Sequence, residues 1–331
     1  MNPARWPLPA SAEATANIAM VKYWGKRDAA LNLPAADSVA VCLDSFPTRV
    51  DVTPCAAAED EVWWSGRPVP PPRIGRFLRV LAILREQSGC RSAVRADVRS
   101  QIPDAVGLAG SSAAMAAFAL AASTAMGVEL SPRELSITAR LGSGSASRSV
   151  PGGFVRWHRG HQEDGSDSYA EEFASAAHWP DLRLLAVIVS REPKAVSSTV
   201  GMIRTARTAP LYPMFVEQCG RLAADAQAAI ASRDFGWLAR TAELSAQTMH
   251  GVCLTARPPI LYVRPLTVEL VEHVTELSRT LPLFFTLDAG PNPFLVTLAP
   301  HDETVAAEVA RAFPDVEILR CGVGGGVRIV A

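Results

Sequence analysis

The chain has almost no net charge and no long run of strongly apolar residues. Its 33 acidic and 32 basic side chains leave a formal charge of -1, which removes any general attraction to nucleic acid or to an anionic membrane. The longest stretch poor in charge, residues 106–128, is rich in Ala, Gly and Ser and therefore predicts a buried helix rather than a membrane span. An anionic ligand must be bound by local groups.

Paired cysteine motifs are also missing. The six cysteines are scattered, without a Cys-x-x-Cys pair or a histidine at metal-binding spacing. His158 and His161 lie in a charged, Gly-containing segment without a third ligand, so no metal site is predicted. The first residues show no apolar core followed by a cleavage site. We therefore expect a cytoplasmic protein with reduced thiols.

Lysine is rare in this chain. Of the 32 basic residues only three are lysines, namely Lys22, Lys26 and Lys194. A lysine ammonium is a compact charge on a flexible stem, which a guanidinium does not reproduce. Two of the three share the segment 17–28, where a strand pattern meets aromatic residues. The lysines therefore mark candidate sites of chemistry, with chance clustering as the alternative.

A Gly/Ser turn at 107–112 leads directly into a stretch of small apolar residues. The backbone N–H groups of Gly110, Ser111 and Ser112 would lie at a helix N-terminus, where phosphate binds. The spacing is neither a Walker P-loop nor a dinucleotide-binding fingerprint. The segment predicts either a phosphate loop or a capped, Ala-rich helix buried in the core.

Strand and helix patterns occur along the whole chain and predict an α+β protein. Apolar spacing indicates strands at 39–43, 49–53, 61–64, 93–102, 182–189, 284–287, 294–298 and 316–319. It indicates helices at 74–86, 131–141, 211–232, 235–249 and 267–280. Ser131 and Glu134 form a capping-box pattern, and residues 68–73 predict a stiff proline loop. Because Leu182 opens the most strand-like run, we divide the chain into domains at 1–181 and 182–331.

Seven motifs in chain order resemble those of one known family. They lie at 17–26, 37–38, 107–114, 142–148 with 152–154, 197–202, 249–254 with 258–262, and 288–292. Each is weak alone, but together they are similar to the diphosphomevalonate decarboxylases of the GHMP kinase superfamily. The resemblance covers most of the chain, from about Asn17 to Asn292.

This resemblance implies a fold, an activity and its cofactors. The fold would be of the GHMP kinase type, with a ribosomal-protein-S5-like N-terminal half and a ferredoxin-like C-terminal half around one cleft. The activity would be ATP-dependent decarboxylation of (R)-5-diphosphomevalonate to isopentenyl diphosphate, CO2, ADP and phosphate. ATP and Mg²⁺ would be the cofactors, a phosphorylated mevalonate the ligand, and a homodimer the assembly, without nucleic acid or membrane.

The resemblance also assigns site residues. The catalytic group would be Asp288, Lys22, Asn17 and Arg148. The substrate would bind to Tyr23, Lys22, Ser143, Ser145, Arg148, Lys194, Ser198, Thr199 and Met202. The nucleotide would bind to Gly107, Leu108, Ala109, Gly110, Ser111 and Ser112. Asp288 would act as general base or orienting group for the 3-hydroxyl, and Arg148 would grip a carboxylate with two donors.

Several of these residues have simpler interpretations. Asp288 begins an Asp-Ala-Gly-Pro-Asn sequence that is typical of turns. Lys26 could be a solvated charge, Gly-Ser-Gly-Ser at 142–145 could be a flexible turn, and His250 is better explained by helix packing. Some family members carry arginine where Thr199 stands, which weakens the expected diphosphate contact.

The phosphate loop departs from the superfamily pattern, because Gly110 stands where the first serine belongs. Either glycine lets the backbone approach phosphate more closely, or the number of hydroxyls has changed with the substrate. Three functional alternatives therefore stay open: decarboxylation of 5-phosphomevalonate, a mevalonate 3-kinase, and a non-catalytic nucleotide-binding regulator.

Overall fold

Antiparallel strands dominate the first half of the chain in the computed structural model, which describes residues 7–102 and 110–331. In chain order the elements are β1 (Ala10–Ala14), β2 (Asn17–Val21), β3 (Lys26–Asp28), β4 (Leu33–Pro34), β5 (Ser38–Cys42), β6 (Thr48–Pro54), β7 (Glu61–Trp64), β8 (Arg67–Pro68), α1 (Pro71–Ser88), β9 (Val94–Ser100), α2 (Gly110–Ala125), α3 (Pro132–Gly142), β10 (Phe154–Trp157) and β11 (Ala170–Ala174). A 3-10 helix, Gly144–Ser149, joins α3 to β10.

Helices are longer in the second half. The elements there are β12 (Leu182–Ile188), α4 (Ser198–Thr208), α5 (Tyr212–Ser232), α6 (Phe235–Thr255), α7 (Pro265–Leu277), β13 (Leu283–Thr286), β14 (Phe294–Leu298), α8 (Asp302–Ala312), β15 (Glu317–Cys321) and β16 (Arg328–Val330). The Arg257–Pro258 peptide bond is cis. No helix among the described residues combines the length and apolar character that crossing a membrane requires.

One sheet has the strand order β16-β1-β6-β9-β7-β8 and is covered by α2. Strands β6 and β9 alternate buried and partly exposed residues, as expected for a sheet with one face on the core. The small side chains of α2 pack on that face with Val50, Val98 and Phe77. The last strand, β16, pairs with β1, so the end of the chain returns to the first sheet.

Two further four-stranded sheets lie next to the long helices, and a small β3-β4 ribbon lies between β2 and β5 in the chain. The order β11-β10-β5-β2 leaves β2 at an edge, where α6 and α5 pack against it. The order β13-β14-β12-β15 places β12 in the interior, and its residues are almost all buried, as the continuous apolar run predicted. A core cluster spans both sheets, with Ile18 and Val41 from one and Leu184 and Phe284 from the other.

The main predicted elements are present, with shifted ends. The capping box of α3 is confirmed, since the Ser131 side chain accepts a hydrogen bond from Glu134 N and the Glu134 carboxylate accepts one from Ser131 N. The predicted proline loop was too long, because α1 begins at Pro71 rather than at residue 74. Proline suits a first helical turn, where its missing N–H costs nothing.

Candidate active site

Strand β2 positions Lys22 at the point where two halves of the chain meet. The pairing of β2 with β5 shifts register between Ala19 and Val21, and Lys22 follows the end of the strand. Its backbone N–H donates to Ser245 Oγ on α6 at 2.9 Å, and its ammonium donates to the Ala19 carbonyl at 2.8 Å. Lys22 is 2% exposed, so its charge faces the protein interior.

Asp288 lies two residues after β13 and pairs with Lys22. The Lys22 Nζ to Asp288 Oδ1 distance is 2.5 Å, and the Asp288 side chain stays 35% exposed. Thr286, the last residue of β13, donates its hydroxyl to the same Ala19 carbonyl at 3.2 Å. One backbone oxygen of β2 therefore anchors both the lysine and the strand that leads to the aspartate.

The residues after Asp288 form a tight turn that its own carboxylate does not cap. Gly290 N donates to the Asp288 carbonyl at 2.7 Å, and Lys194 Nζ donates to the Ala289 carbonyl at 2.7 Å. Asn292 Oδ1 accepts the N–H groups that follow β12, from Val189 and Ser190. The turn is thus held by Lys194 and Asn292, which leaves the Asp288 carboxylate for Lys22 and for solvent.

Charges around the pair keep the aspartate ionised. Burial raises the pKa of Asp288, but the attraction and hydrogen bond of Lys22, together with Arg148 and Lys194, bring the pKa below its ordinary value. For Lys22 burial is the largest effect and lowers the pKa, while Asp288 opposes it. Because the surrounding cations keep this carboxylate charged, it can hold a polar group of a ligand in one orientation.

Arg148 reaches the same region from the 3-10 helix. Its Nε donates to Asn17 Oδ1 at 2.8 Å, and its Nη1 donates to Ser38 Oγ at 2.9 Å. Asn17 Nδ2 in turn donates to the Ser145 carbonyl at 3.1 Å and to Ser149 Oγ at 2.8 Å. Asn17 therefore orients the guanidinium, and Arg148 Nη2 makes no hydrogen bond to any other residue of the described ranges.

Two aromatic rings form a wall beside Arg148. Tyr23 and Trp157 have ring centroids 4.7 Å apart, and the guanidinium carbon lies 5.9 Å from each ring. Within the described part of the chain, the Tyr23 hydroxyl is buried without a hydrogen-bond partner. A Cβ on Gly144 would lie 2.6 Å from that hydroxyl, so the Gly-Ser-Gly-Ser segment needs glycine there to pack against Tyr23.

The remaining substrate-binding candidates fall into two groups. Ser143 and Ser145 lie at the start of the 3-10 helix with their hydroxyls 3.4 Å apart, on the Arg148 side. Ser198 and Thr199 open α4, and Lys194 Nζ is 3.2 Å from Ser198 Oγ. Met202 is 6% exposed and packs in a core cluster with Trp24 and Tyr262, so its side chain supports α4 from below.

The structure describes part of the expected nucleotide site. Gly110, Ser111 and Ser112 form the first turn of α2, the end of a helix at which anions bind. Within residues 7–102 and 110–331, a Cβ on Gly110 would meet only Ile102 Cδ1, at 3.6 Å. Gly107, Leu108 and Ala109 lie outside the described residues.

Several side chains at the site were not predicted from the sequence. Ser38 supports Arg148, Ser245 supports Lys22, and Thr286 ties β13 to β2. Ser38 stands inside a motif that carried no assigned role, whereas a single buried hydroxyl on α6 or β13 gives no pattern in a sequence.

Two family models match the chain, and together they span most of it. The diphosphomevalonate decarboxylase-like N-terminal domain matches residues 14–170. The mevalonate 5-diphosphate decarboxylase C-terminal domain matches residues 184–324.

Curated relatives are similar over nearly the whole chain. The diphosphomevalonate decarboxylase mvd1 of Aspergillus fumigatus is 37% identical, covering 91% of this chain and 79% of its own length. The diphosphomevalonate decarboxylase of Homo sapiens is also 37% identical, covering 92% of this chain and 80% of its own length.

Solved structures of similar proteins have the same fold. Mevalonate diphosphate decarboxylase from Staphylococcus aureus superposes with a TM-score of 0.92 at 31% identity, covering 98% of each chain. The enzyme from Enterococcus faecalis gives 0.90 at 31% identity, covering 98% of this chain and 99% of its own. A complex of MDDEF with MVAPP, AMPPCP and magnesium gives 0.91 at 31% identity, again covering 98% and 99%. With matching models in both halves and relatives of this identity over more than nine-tenths of its length, the chain belongs to the diphosphomevalonate decarboxylase family and has the GHMP kinase fold.

Proposed function

We propose that this protein catalyses the ATP-dependent decarboxylation of (R)-5-diphosphomevalonate to isopentenyl diphosphate, CO2, ADP and phosphate. The observation that carries the proposal is the 2.5 Å contact between Lys22 and Asp288, beside the Arg148 guanidinium, whose Nη2 has no hydrogen-bond partner within the described ranges. The family relationship supplies the substrate, and the cation-rich environment of one carboxylate suits the reaction.

The reaction explains why the site needs these groups. A 3-hydroxy acid has no electron sink for direct loss of CO2, so the tertiary hydroxyl must first become a leaving group by phosphorylation. Phosphate departure then develops positive charge at that carbon while the carboxylate leaves and a double bond forms. The site must hold two phosphorylated groups and a carboxylate together, which requires fixed cations.

Asp288 orients the 3-hydroxyl in this proposal. Its depressed pKa keeps the carboxylate ionised, and Lys22 uses only Oδ1, so the exposed part of the group accepts a hydrogen bond from the hydroxyl. Because phosphoryl transfer depends mainly on positioning and charge stabilisation, such an oriented acceptor serves as the base when the hydroxyl proton is lost. The Lys22 ammonium balances the charge of the anions that gather there.

Arg148 binds the substrate carboxylate or a phosphate in this proposal. Its remaining donors suit planar, two-pronged recognition of an anion. Asn17 fixes the guanidinium through Nε, while Tyr23, Ser143 and Ser145 line its approach. Lys194, Ser198 and Thr199 complete the substrate site from α4, and Met202 supports that helix from the core.

ATP supplies the phosphoryl group when bound, and the first turn of α2 fits its phosphates. Gly110 leaves the backbone accessible, and Ser111 and Ser112 add hydroxyls close to the helix N-terminus. Gly107, Leu108 and Ala109 belong to the same proposed loop. Among the described residues no group of three or more His, Cys, Asp or Glu side chains is arranged to hold a metal ion, so Mg²⁺ would be carried mainly by phosphate oxygens.

Domain division, assembly and location are parts of the same proposal. Domains at 1–181 and 182–331 agree with the start of β12 at Leu182, with β16 as a strand contributed back to the first sheet. A homodimer is proposed by analogy with the family. The cytoplasm is proposed because all six cysteines are free thiols. Light scattering of the purified protein and fractionation of its host test the last two.

The decisive experiment is product analysis with two substrates. Purified enzyme is given ATP, Mg²⁺ and either 5-diphosphomevalonate or 5-phosphomevalonate, and CO2 and ADP are measured in parallel. Equal release of CO2 and ADP from the diphosphate alone supports the proposal. CO2 from the monophosphate selects the alternative decarboxylase, ADP without CO2 selects a 3-kinase, and nucleotide binding without turnover selects a regulator.

A further inference from the structure

The last loop of the chain crosses behind the segment that carries Arg148. Residues 322–327, which join β15 to β16 and read Gly-Val-Gly-Gly-Gly-Val, are called the C-terminal strap below. Val323 packs with the core cluster that spans the two four-stranded sheets, whereas Val327 packs with the core of the first sheet. The strap is therefore anchored near both of its ends, with three glycines between the anchors.

The residues after Arg148 form a turn, 150–153, that pairs with the strap. Two backbone hydrogen bonds and one antiparallel bridge join the two segments. These contacts are Gly153 N to Gly324 O at 2.8 Å, Val327 N to Val150 O at 3.1 Å, and the bridge between Gly152 and Gly325. Because the pairing runs along the whole turn, a displacement of the strap is transmitted to the turn.

The two backbones approach so closely that only glycine fits at position 326. A Cβ on Gly326 would lie 2.4 Å from the carbonyl oxygens of both Val150 and Pro151. A side-chain carbon cannot come this near to a backbone oxygen in a packed interior, so it would push the turn away. At Gly325 no atom from elsewhere in the described chain lies within 4 Å of an added Cβ. Space therefore requires glycine at 326 but not at 325.

Cys42, the last residue of β5, connects the strap directly to Arg148. Its carbonyl accepts from Gly324 N at 2.8 Å, its N–H donates to Gly153 O at 2.9 Å, and its thiol donates to the Arg148 carbonyl at 3.0 Å. Burial raises the pKa of this thiol to about 12, so the thiol keeps its proton and can donate. One residue thus contacts the strap, the turn and the backbone of Arg148.

We propose that the C-terminal strap is a positioning element for Arg148, which fixes the turn 150–153 and, with Cys42, the backbone from which the guanidinium reaches the substrate. The side-chain anchors Asn17 and Ser38 set the orientation of the guanidinium, whereas the strap sets the position of the backbone behind it. This inference rests on the proposed function, in which Arg148 binds an anionic group of the mevalonate substrate.

A small displacement of this backbone has a large effect because Arg148 is only 4% exposed. Packed interiors transmit strain, so a turn pushed by a methyl group at 326 moves the guanidinium relative to Asn17 and Ser38. Misplacement of a binding group by about 1 Å can cost as much as a hundredfold in rate. The positioning role therefore has a measurable consequence.

The main test compares Gly326→Ala with Gly325→Ala. Both variants add one methyl group to neighbouring residues of the strap, but only the first places it against Val150 and Pro151. We expect Gly326→Ala to raise KM for the mevalonate substrate roughly tenfold, with a smaller fall in kcat and an unchanged KM for ATP. Gly325→Ala should leave all three constants as in the wild type. Equal KM values for the mevalonate substrate in the two folded variants would overturn the proposal.

A second comparison removes a contact without adding bulk. Cys42→Ala deletes the thiol that donates to Arg148, whereas Cys90→Ala deletes a thiol in the core of the first sheet, and each cysteine is 1% exposed. Both variants should lower the unfolding temperature, because each leaves a small cavity. Only Cys42→Ala should raise KM for the mevalonate substrate by several-fold. This pair decides the question if Gly326→Ala does not fold, and equal KM values would then refute the proposal.

An Arg148→Lys background shows whether the strap acts through this residue. Variants that act through one shared residue have non-additive effects. Gly326→Ala should therefore raise KM for the mevalonate substrate much less in Arg148→Lys than in the wild type. The same factor in both backgrounds would mean that the strap acts elsewhere, and the positioning role would be rejected.

Calorimetry separates this proposal from the proposed function. Binding of diphosphomevalonate is measured without ATP, so that the result does not depend on turnover. Weaker binding to Gly326→Ala than to Gly325→Ala, in a protein that releases no CO2 when ATP is added, would reject the function and support the positioning role. CO2 release by both variants, with equal affinity for diphosphomevalonate, would reject the positioning role and leave the function standing.

Discussion

The ammonium of Lys22 lies 2.5 Å from Asp288 Oδ1, although 266 positions separate the two residues in the chain. Both residues depend on the Ala19 carbonyl. The Lys22 ammonium donates to it directly, and the hydroxyl of Thr286, in the strand that precedes Asp288, donates to it as well. The closeness of the pair is therefore fixed by backbone geometry in addition to charge. This arrangement makes each partner a separate target for a test.

Asp288→Asn should abolish turnover while leaving substrate affinity little changed. Asparagine keeps the size of the side chain and an oxygen that accepts from Lys22, but it removes the negative charge that we propose orients the hydroxyl. A fall in kcat on the order of a thousandfold or more is expected, since geometry and electrostatics act together at this position. CO2 release measures kcat, and calorimetry with diphosphomevalonate measures affinity. Near-normal turnover would refute the catalytic role.

Sequence reasoning succeeded where periodicity or motifs carry information. The amphipathic strands β6 and β9, the capped helix α3 and the buried strand β12 follow from alternation, caps and apolar runs. The sequence patterns missed short or polar elements such as β3, β4 and β16, because two or three residues give no period.

The candidate site shows the same limit of prediction from sequence patterns more clearly. Lys22, Arg148 and Asp288 stood out through lysine scarcity and family motifs. The supports around them did not, because Ser245, Thr286 and the Ala19 carbonyl act through contacts between segments more than 200 positions apart. Such contacts depend on how β2, α6 and β13 pack, and that is a property of the folded chain.

Asn17→Ala should weaken substrate binding more than it slows chemistry. Asn17 joins Arg148 to Ser145 and Ser149, so its loss frees the guanidinium from one of its two side-chain anchors. We expect KM for the mevalonate substrate to rise roughly tenfold, and kcat to fall less. Ser38→Ala removes the other anchor and should act in the same direction.

The double variant Asn17→Ala/Ser38→Ala checks this interpretation. If both side chains act through Arg148, their effects on KM should be non-additive. Steady-state kinetics with ATP held at saturation provide the measurement. Simple multiplication of the two single effects would mean that Asn17 and Ser38 act independently of the guanidinium.

Gly110→Ala tests why glycine stands at the start of α2. Among the described residues the new Cβ would meet only Ile102 Cδ1 at 3.6 Å, an ordinary contact, so the fold should be kept and the helix slightly stabilised. If the backbone at Gly110 approaches phosphate, the methyl group should raise KM for ATP by several-fold while KM for the mevalonate substrate stays constant. Gly220→Ala on α5 is the control, because no atom of another described residue that could clash lies within 4 Å of its added Cβ. Equal KM for ATP in both variants would favour the explanation by hydroxyl number.

The Lys22–Asp288 pair should lower the stability of the folded protein at neutral pH, and replacing both charged side chains by neutral ones should restore that stability. Burial is the largest effect on the pKa of Lys22, whose side chain is buried while that of Asp288 is 35% exposed, and replacing such an ion pair by neutral groups of similar size is often neutral or stabilising. The double variant Lys22→Met/Asp288→Asn should therefore unfold at a temperature equal to or above that of the wild type. Asp288→Asn alone should unfold at a lower temperature, because it leaves the Lys22 charge buried.

The difference in stability between the double variant and the wild type should also depend on pH, which gives a stricter test. The folded pKa of Lys22 is lowered from 10.5, so the unfolded chain binds the proton more tightly and wild-type stability rises as pH increases from the folded value toward 10.5. The pKa of Asp288 is depressed below 3.8, so its contribution is present above about that pH and is lost as pH falls through the folded value. The free energy by which the double variant is more stable than the wild type should consequently become smaller in alkaline buffer and larger again in acid below pH 3.8. Unfolding free energies of both proteins, from denaturant titrations across this pH range, test this prediction. A difference in stability that does not change with pH would mean that neither group titrates differently in the folded protein.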